Sequence, residues 1–223
     1  MDANTGYHYQ LKSFGLTHFQ YQQGDHVGKA LAFSSLIPIF LVVMETTVVL
    51  SRREVAGILL LLGQLANEAF NLVLKQMVKI ERPNPHLGDG YGMPSSHSQF
   101  MGFFVVYVAM FLETRVTTKA AHKLIVQVGA IALCVPIIFS RVYLGYHTFL
   151  QVLVGSAIGL VAGFAWYQFI ERAVYPSGIV DMFLDTAICK WLLIRDSQHV
   201  VDIAQAEYDL SHAARAKAKP KSK

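Results

Sequence analysis

Apolar and polar positions alternate along this chain in long blocks rather than in the short periods of a soluble domain. Five apolar stretches stand out, at residues 30–50, 55–74, 98–112, 123–139 and 148–170. A helix needs about 20 apolar residues to cross the hydrocarbon layer of a bilayer. The first, second and fifth stretches meet that length, while the third and fourth need their flanks. The pattern predicts an all-α, multi-pass transmembrane helical bundle of about five spans. The fifth stretch carries Gly155, Gly159 and Gly163 at four-residue spacing, a row that lets a neighbouring helix approach closely.

The flanks differ from the core. Residues 1–29 are polar and hold no short apolar run with a cleavage site, so the first stretch is expected to remain as an anchor. Residues 177–194 are apolar but interrupted by Asp181, Asp185 and Lys190. The two aspartates share a helical face, which predicts a helix lying at the membrane interface, with a sixth span as the alternative. The last dozen residues are expected to be disordered. The division is therefore an N-terminal segment 1–29, a membrane domain 30–196 and a basic tail 197–223.

Composition agrees with the pattern. Of 223 residues, 53% are hydrophobic and only 15% charged, against about 25% charged in soluble domains. The net charge of +4 sits mostly in the tail, with five basic residues from Arg215 to Lys223. No basic stripe of a nucleic-acid binder is visible, so no nucleic-acid partner is expected; the partner is the lipid bilayer. Cys134 and Cys189 lie in apolar surroundings and read as buried thiols rather than a disulfide.

Lysine and arginine also set orientation. Arg52, Arg53, Arg115, Lys119, Lys123 and the tail all fall on one side of a five-span bundle, predicting a cytosolic side there and a lumenal N-terminus. Lys75, Lys79, Arg82 and Arg141 fall on the opposite side, against that rule. An anionic ligand is one reason for cations to stand there.

Three segments gather on that side. In Lys75-x6-Arg82-Pro83 the seven-residue spacing would point both cations the same way on a continuing helix, which Pro83 then ends. Arg presents a planar fork of donors and Lys a compact charge, a combination suited to phosphate oxygens. Glu68 and Asn71 share the Lys75 face, and Glu68, a functional candidate as an ionisable residue inside a span, is read as pairing with Lys75 or another helix in a supporting, orienting role. In Pro94-Ser95-Ser96-His97 a serine cap opens the third span, where a helix N-terminus favours anions. In Ser140-Arg141-x5-His147, Gln151 follows four residues later, so its amide can hydrogen-bond one imidazole nitrogen and leave the other free. Singly, each has an ordinary reading: interfacial anchors, a helix cap, a structural histidine. Together they supply two histidines, for nucleophile and general acid, and three cations to neutralise a transferring phosphoryl group.

These segments resemble the signature K-x6-RP, PSxH and SR-x5-H of the type 2 phosphatidic acid phosphatase superfamily. The resemblance extends over residues 24–196 through LANEAFNLVLKQ, YGMPSSHSQFM, SRVYLGYHTFLQV and LLIRD. Within the superfamily it is nearest to the branch acting on dolichyl diphosphate. The resemblance implies an acid-phosphatase-like helical fold and a lipid phosphatase that needs no metal or other cofactor. It implies His147 as the nucleophile that becomes phosphohistidine, and His97 as the acid that protonates the leaving group and then activates water. Lys75, Arg82, Ser95, Ser96 and Arg141 would hold phosphate. The substrate would be a polyprenyl diphosphate lipid in the endoplasmic reticulum membrane, hydrolysed on the lumenal side to recycle the carrier of N-glycosylation. A Lys219-x-Lys221-x-Lys223 ending resembles a dilysine retrieval signal, or else is a basic tail meeting anionic lipid. Rival readings are a phosphatase of phosphatidate or sphingoid phosphates, and a non-catalytic lipid-phosphate binder or flippase. The pattern departs from the superfamily twice: Ser96 replaces a glycine, and Gln151 replaces an acid that would raise the basicity of the nucleophile. Five spans also stand where six are usual.

Overall fold

The computed structural model describes residues 11–14, 19–87 and 90–218 of the chain; the Lys219–Lys223 ending lies outside them. The protein is a helical bundle with a small antiparallel pair, β1 (Leu11–Phe14) and β2 (Phe19–Gln22), ahead of it. The first apolar stretch forms two helices, α1 (His26–Ser34) and α2 (Ile37–Arg52). Asp25 caps α1 by accepting from the Gly28 N–H at 2.8 Å. Pro38 lies in the first turn of α2, where it has no N–H to continue the α1 ladder and its ring crowds the preceding turn. The chain therefore breaks at Ser35 and Leu36.

The remaining stretches form α3 (Val55–Val78), α4 (Ser96–Arg115), α5 (Ala120–Tyr143) and α6 (Phe149–Phe169), the last running into a π-helical turn at Ile170–Val174. Four segments are long and apolar enough to cross a membrane: His26–Arg52, Val55–Val78, Ala120–Tyr143 and Phe149–Val174. The third sequence stretch, α4, is 20 residues long, or about 30 Å. It is not among those four because it is the interior helix. Every residue from Ser98 to Phe104 is buried, and α3, α5 and α6 pack around it. An enclosed helix is free to carry Ser98, Gln99 and Gly102, whereas α5 turns Leu124, Ile125, Val128, Ile131 and Val135 outward.

Two seams fix α4. A Cβ on Gly155 would lie 2.6 Å from the Ser95 carbonyl oxygen, and one on Gly159 2.1 Å from that of Gln99. Main chain therefore touches main chain along α4 and α6, as the glycine row predicts. Across the other face, Gln64, Asn67 and Asn71 form a buried polar stripe on α3. Asn71 Nδ2 donates to Gln99 Oε1 at 2.7 Å, and Gln99 Nε2 donates to Asn67 Oδ1 at 2.9 Å.

At the end of the bundle carrying Arg52 and Arg115, residues 194–198 are pinned by side chains. Arg195 pairs with Glu54 at 2.7 Å, and Arg115 with Glu171 at 2.7 Å. Two expectations are corrected here. Residues 177–194 form two short helices, α7 (Ile179–Leu184) and α8 (Ala187–Leu192), rather than one. Asp185 closes α7 and Thr186 caps α8 by accepting from Cys189 N–H. The final segment is helical as α9 (Ile203–Ala218), not disordered through its last dozen residues. Asp202 caps its first turn, and Glu207 ties it to Arg52 and Arg195. Cys134 and Cys189 are both buried and free, as expected.

Candidate active site

The site forms where the chain enters α4 and α6. These helices run in the same direction, so both N-termini, with their partial positive charge, meet at one end of the bundle. Ser95 N–H donates to the Gln151 carbonyl at 3.1 Å, locking the two starts together. Gly92 is required by close approach: a Cβ there would lie 2.9 Å from Gln151 Nε2 and 3.0 Å from the Arg82 Cα. Its N–H donates to the Ile80 carbonyl at 2.8 Å. All three sequence segments thus meet around Gly92.

Lys75 lies in the last turn of α3. Arg82 does not continue that helix, which corrects the expected shared face. Lys79 takes the left-handed conformation (φ 52) and ends α3 four residues before Pro83, so Arg82 is carried back towards the site on extended chain. Lys75 Nζ donates to Ser96 Oγ at 3.5 Å; among the described ion pairs none joins it to Glu68 within 4.0 Å, though the two charges act on each other across the helix face. Asn71 is fully buried and supports the α4 start through Gln99 and the Pro94 carbonyl. Ser95 is fully buried at the N-cap of α4 but makes no side-chain capping bond; its Oγ accepts from Ser98 Oγ at 3.1 Å. Ser96, replacing the usual glycine, is half-buried beside Lys75.

His147 lies two residues ahead of α6 rather than on its face, another correction. Its link to Gln151 forms through a capping box. Thr148 Oγ1 accepts from the Gln151 N–H, and Gln151 Oε1 accepts from the Thr148 N–H, each at 3.2 Å. The same Oε1 faces His147 Nδ1 at 3.2 Å, and Gln151 Nε2 donates to the Glu81 carbonyl at 2.8 Å. Turning the amide over would set donor against donor at Thr148, so its orientation is fixed. Nδ1 must then carry the proton, leaving Nε2 unprotonated. Burial, then Arg141, then Arg82, pushes the His147 imidazole down to about 3, so it stands neutral at working pH. Lys75 adds to this effect, which places all three cations within electrostatic reach of His147.

Arg141 is buried with 3% exposure. Its Nη1 donates to Ser35 Oγ at 3.3 Å, and its guanidinium lies 4.0 Å from the centre of the Tyr146 ring. His97 Nε2 faces the Ser35 carbonyl at 3.2 Å. A carbonyl only accepts, so that nitrogen is protonated and Nδ1 is the exchanging one. Ser35 and Tyr146 were not visible as site residues in the sequence. Ser35 is 40 positions ahead of the nearest segment, which starts at Lys75, and Tyr146 stands inside a segment whose spacing leaves that position unspecified. The Ser–x–x–Pro spacing that breaks the first span is the one available signal.

Two imidazoles, one with its tautomer fixed, lie within electrostatic reach of cations at paired helix N-termini, an arrangement suited to an anionic phosphoryl group in a helical bundle. Comparison with known proteins agrees. Residues 56–175 match the PAP2 superfamily model, and the chain belongs to that superfamily of hydrolases. A human protein, dolichyldiphosphatase 1, is 36% identical over 89% of this chain and 87% of its own. Its namesake in Dictyostelium discoideum is 38% identical over 86% of each. Lipid phosphate phosphatase gamma of Arabidopsis thaliana is 34% identical over 92% of this chain and 93% of its own. Among solved structures, the transmembrane PAP2-type phosphatidylglycerolphosphate phosphatase of Bacillus subtilis superposes with a TM-score of 0.57 at 26% identity, covering 66% of this chain and 78% of that one. The protein is a membrane phosphatase of PAP2 type.

Proposed function

We propose that the protein hydrolyses dolichyl diphosphate to dolichyl phosphate and inorganic phosphate at the lumenal face of the endoplasmic reticulum membrane, returning the carrier for N-glycosylation. The observation that carries the chemistry is the His147–Gln151 pair, with Nε2 free among Arg141, Arg82 and Lys75. The substrate rests on the dolichyldiphosphatases, similar to this chain over most of their length.

His147 Nε2 attacks the terminal phosphorus. The bond from that phosphorus to the bridging oxygen breaks, and the leaving dolichyl phosphate takes a proton from His97. Lys75, Arg82, Ser96 and Arg141 hold the phosphoryl oxygens, while the α4 and α6 N-termini add partial positive charge. His97, now neutral, accepts a proton from water as the water oxygen attacks phosphohistidine. Phosphate departs and His147 is restored. Ser95, whose N–H is taken by the Gln151 carbonyl and whose Oγ accepts from Ser98, reaches phosphate in this reading through its own hydroxyl proton.

A second reading, a phosphatase of lipid monoesters such as phosphatidate, is favoured by the similarity to lipid phosphate phosphatase gamma. One assay separates the two. Purified protein in detergent with EDTA is expected to release phosphate from a polyprenyl diphosphate faster than from phosphatidate, and His147→Ala to fold and release none. Equal rates would refute the substrate, and an inert wild type would refute catalysis in favour of lipid-phosphate binding.

A further inference from the structure

The matched family region begins at residue 56, yet part of the site comes from ahead of it. Ser35 is fully buried in the break between α1 and α2. Its carbonyl faces His97 Nε2 at 3.2 Å, and its hydroxyl meets Arg141 Nη1 at 3.3 Å and Ser140 Oγ at 2.9 Å. The break exposes these groups. In a continuous helix the Ser35 carbonyl would be taken by the N–H four residues on. Here residue 39 bonds instead to the Leu36 carbonyl at 3.0 Å. The Arg141 guanidinium also lies over the Tyr146 ring, whose hydroxyl accepts from the Gln20 N–H of β2 at 3.0 Å. The segment 19–36 thus reaches Arg141 directly through Ser35 and indirectly through Tyr146.

We infer that Ser35 is a positioning residue of the phosphatase, its hydroxyl setting the Arg141 guanidinium against the transferring phosphate while its carbonyl orients His97. This rests on the roles proposed above for Arg141 and His97. Two consequences are separable because one group is side chain and the other main chain. Removing the hydroxyl takes one hydrogen bond from Arg141 but leaves the carbonyl on His97. Phosphate affinity should therefore fall while the pH limbs of the rate stay in place.

The test uses the full chain in detergent, with polyprenyl diphosphate as substrate and inorganic phosphate as inhibitor. Ser35→Ala is expected to raise both the KM and the phosphate inhibition constant about tenfold, the loss typical of one hydrogen bond to a charged group, with the pH optimum unmoved. Ser35→Cys keeps nearly the volume but hydrogen-bonds weakly, and should lose as much; should the alanine variant not fold, the cysteine variant decides alone. Wild-type KM and phosphate inhibition in a folded variant, or full recovery by cysteine, would overturn the assignment, the latter because bulk and not the hydroxyl would then matter. A wild type without activity would instead refute the proposed function, so the two failures are distinguishable.

Discussion

At the scale of single residues, chemistry concentrates in the amide of Gln151. A carboxylate in that place would stabilise the imidazolium of His147; an amide orients the ring but adds no charge. With burial and two arginines also acting against protonation, the imidazole sits at about 3. Exchanging Gln151 for the acid usual in the superfamily makes this measurable. In Gln151→Asp the new charge raises the His147 value. The nucleophile is lost as pH falls through that value, so the acidic limb of kcat/KM should appear at higher pH than in the wild type. An unmoved limb would show that residue 151 does not govern the nucleophile. That His97, His147, the cations and Gln151 gather at one end of the bundle was legible in the sequence, because each stands at the end of an apolar stretch on the same side. Ser35 was not, since it contributes a carbonyl that every residue possesses and is distinguished only by where the helix breaks.

At the scale of elements, the seam between α4 and α6 decides whether the site exists. Its glycines permit main-chain contact, and the Gln99 carbonyl lies where a Cβ of residue 159 would be. Gly159→Ala is expected to cost about 1–3 kcal/mol, as overpacking a closed interface does, and to lower the thermal midpoint in detergent together with kcat. An unchanged midpoint would mean that the helices part without penalty. The four outer spans were legible because lipid-facing surfaces must be apolar. α4 was underestimated because its neighbours, not lipid, surround it. The shape of the α3 end was misread for a different reason: Lys79 adopts a left-handed cap, an uncommon conformation for a lysine, ahead of the proline that seemed the natural stop. At the C-terminus, ion pairs of Glu207 with Arg52 and Arg195 hold α9 to the bundle, while Arg215 and Lys217 stay exposed.

At the scale of the whole molecule, the up-and-down path gathers Lys75, Arg82 and Arg141 at one end and Arg52 and Arg115 at the other. The orientation proposed here places the first group in the lumen. An N-glycosylation acceptor inserted near Asp89 should be modified in microsomes, and one near Thr117 should not; the reverse pattern would invert the protein and remove its substrate from the lumenal face.

The parallel run of α4 and α6 bears on the lipid around the protein. Bilayers differ in thickness, and spans answer by tilting against one another. Two histidines carried on independently tilting spans would drift apart or together with every change in lipid. Here His97 stands in the first turn of α4 and His147 two residues ahead of α6, and those two helices touch along their backbones and are tied at the start by the Ser95–Gln151 bond. The spacing of the two imidazoles is therefore set by main chain, and, with the roles proposed for them, the geometry of the reaction would travel with the protein from thinner membranes to thicker ones.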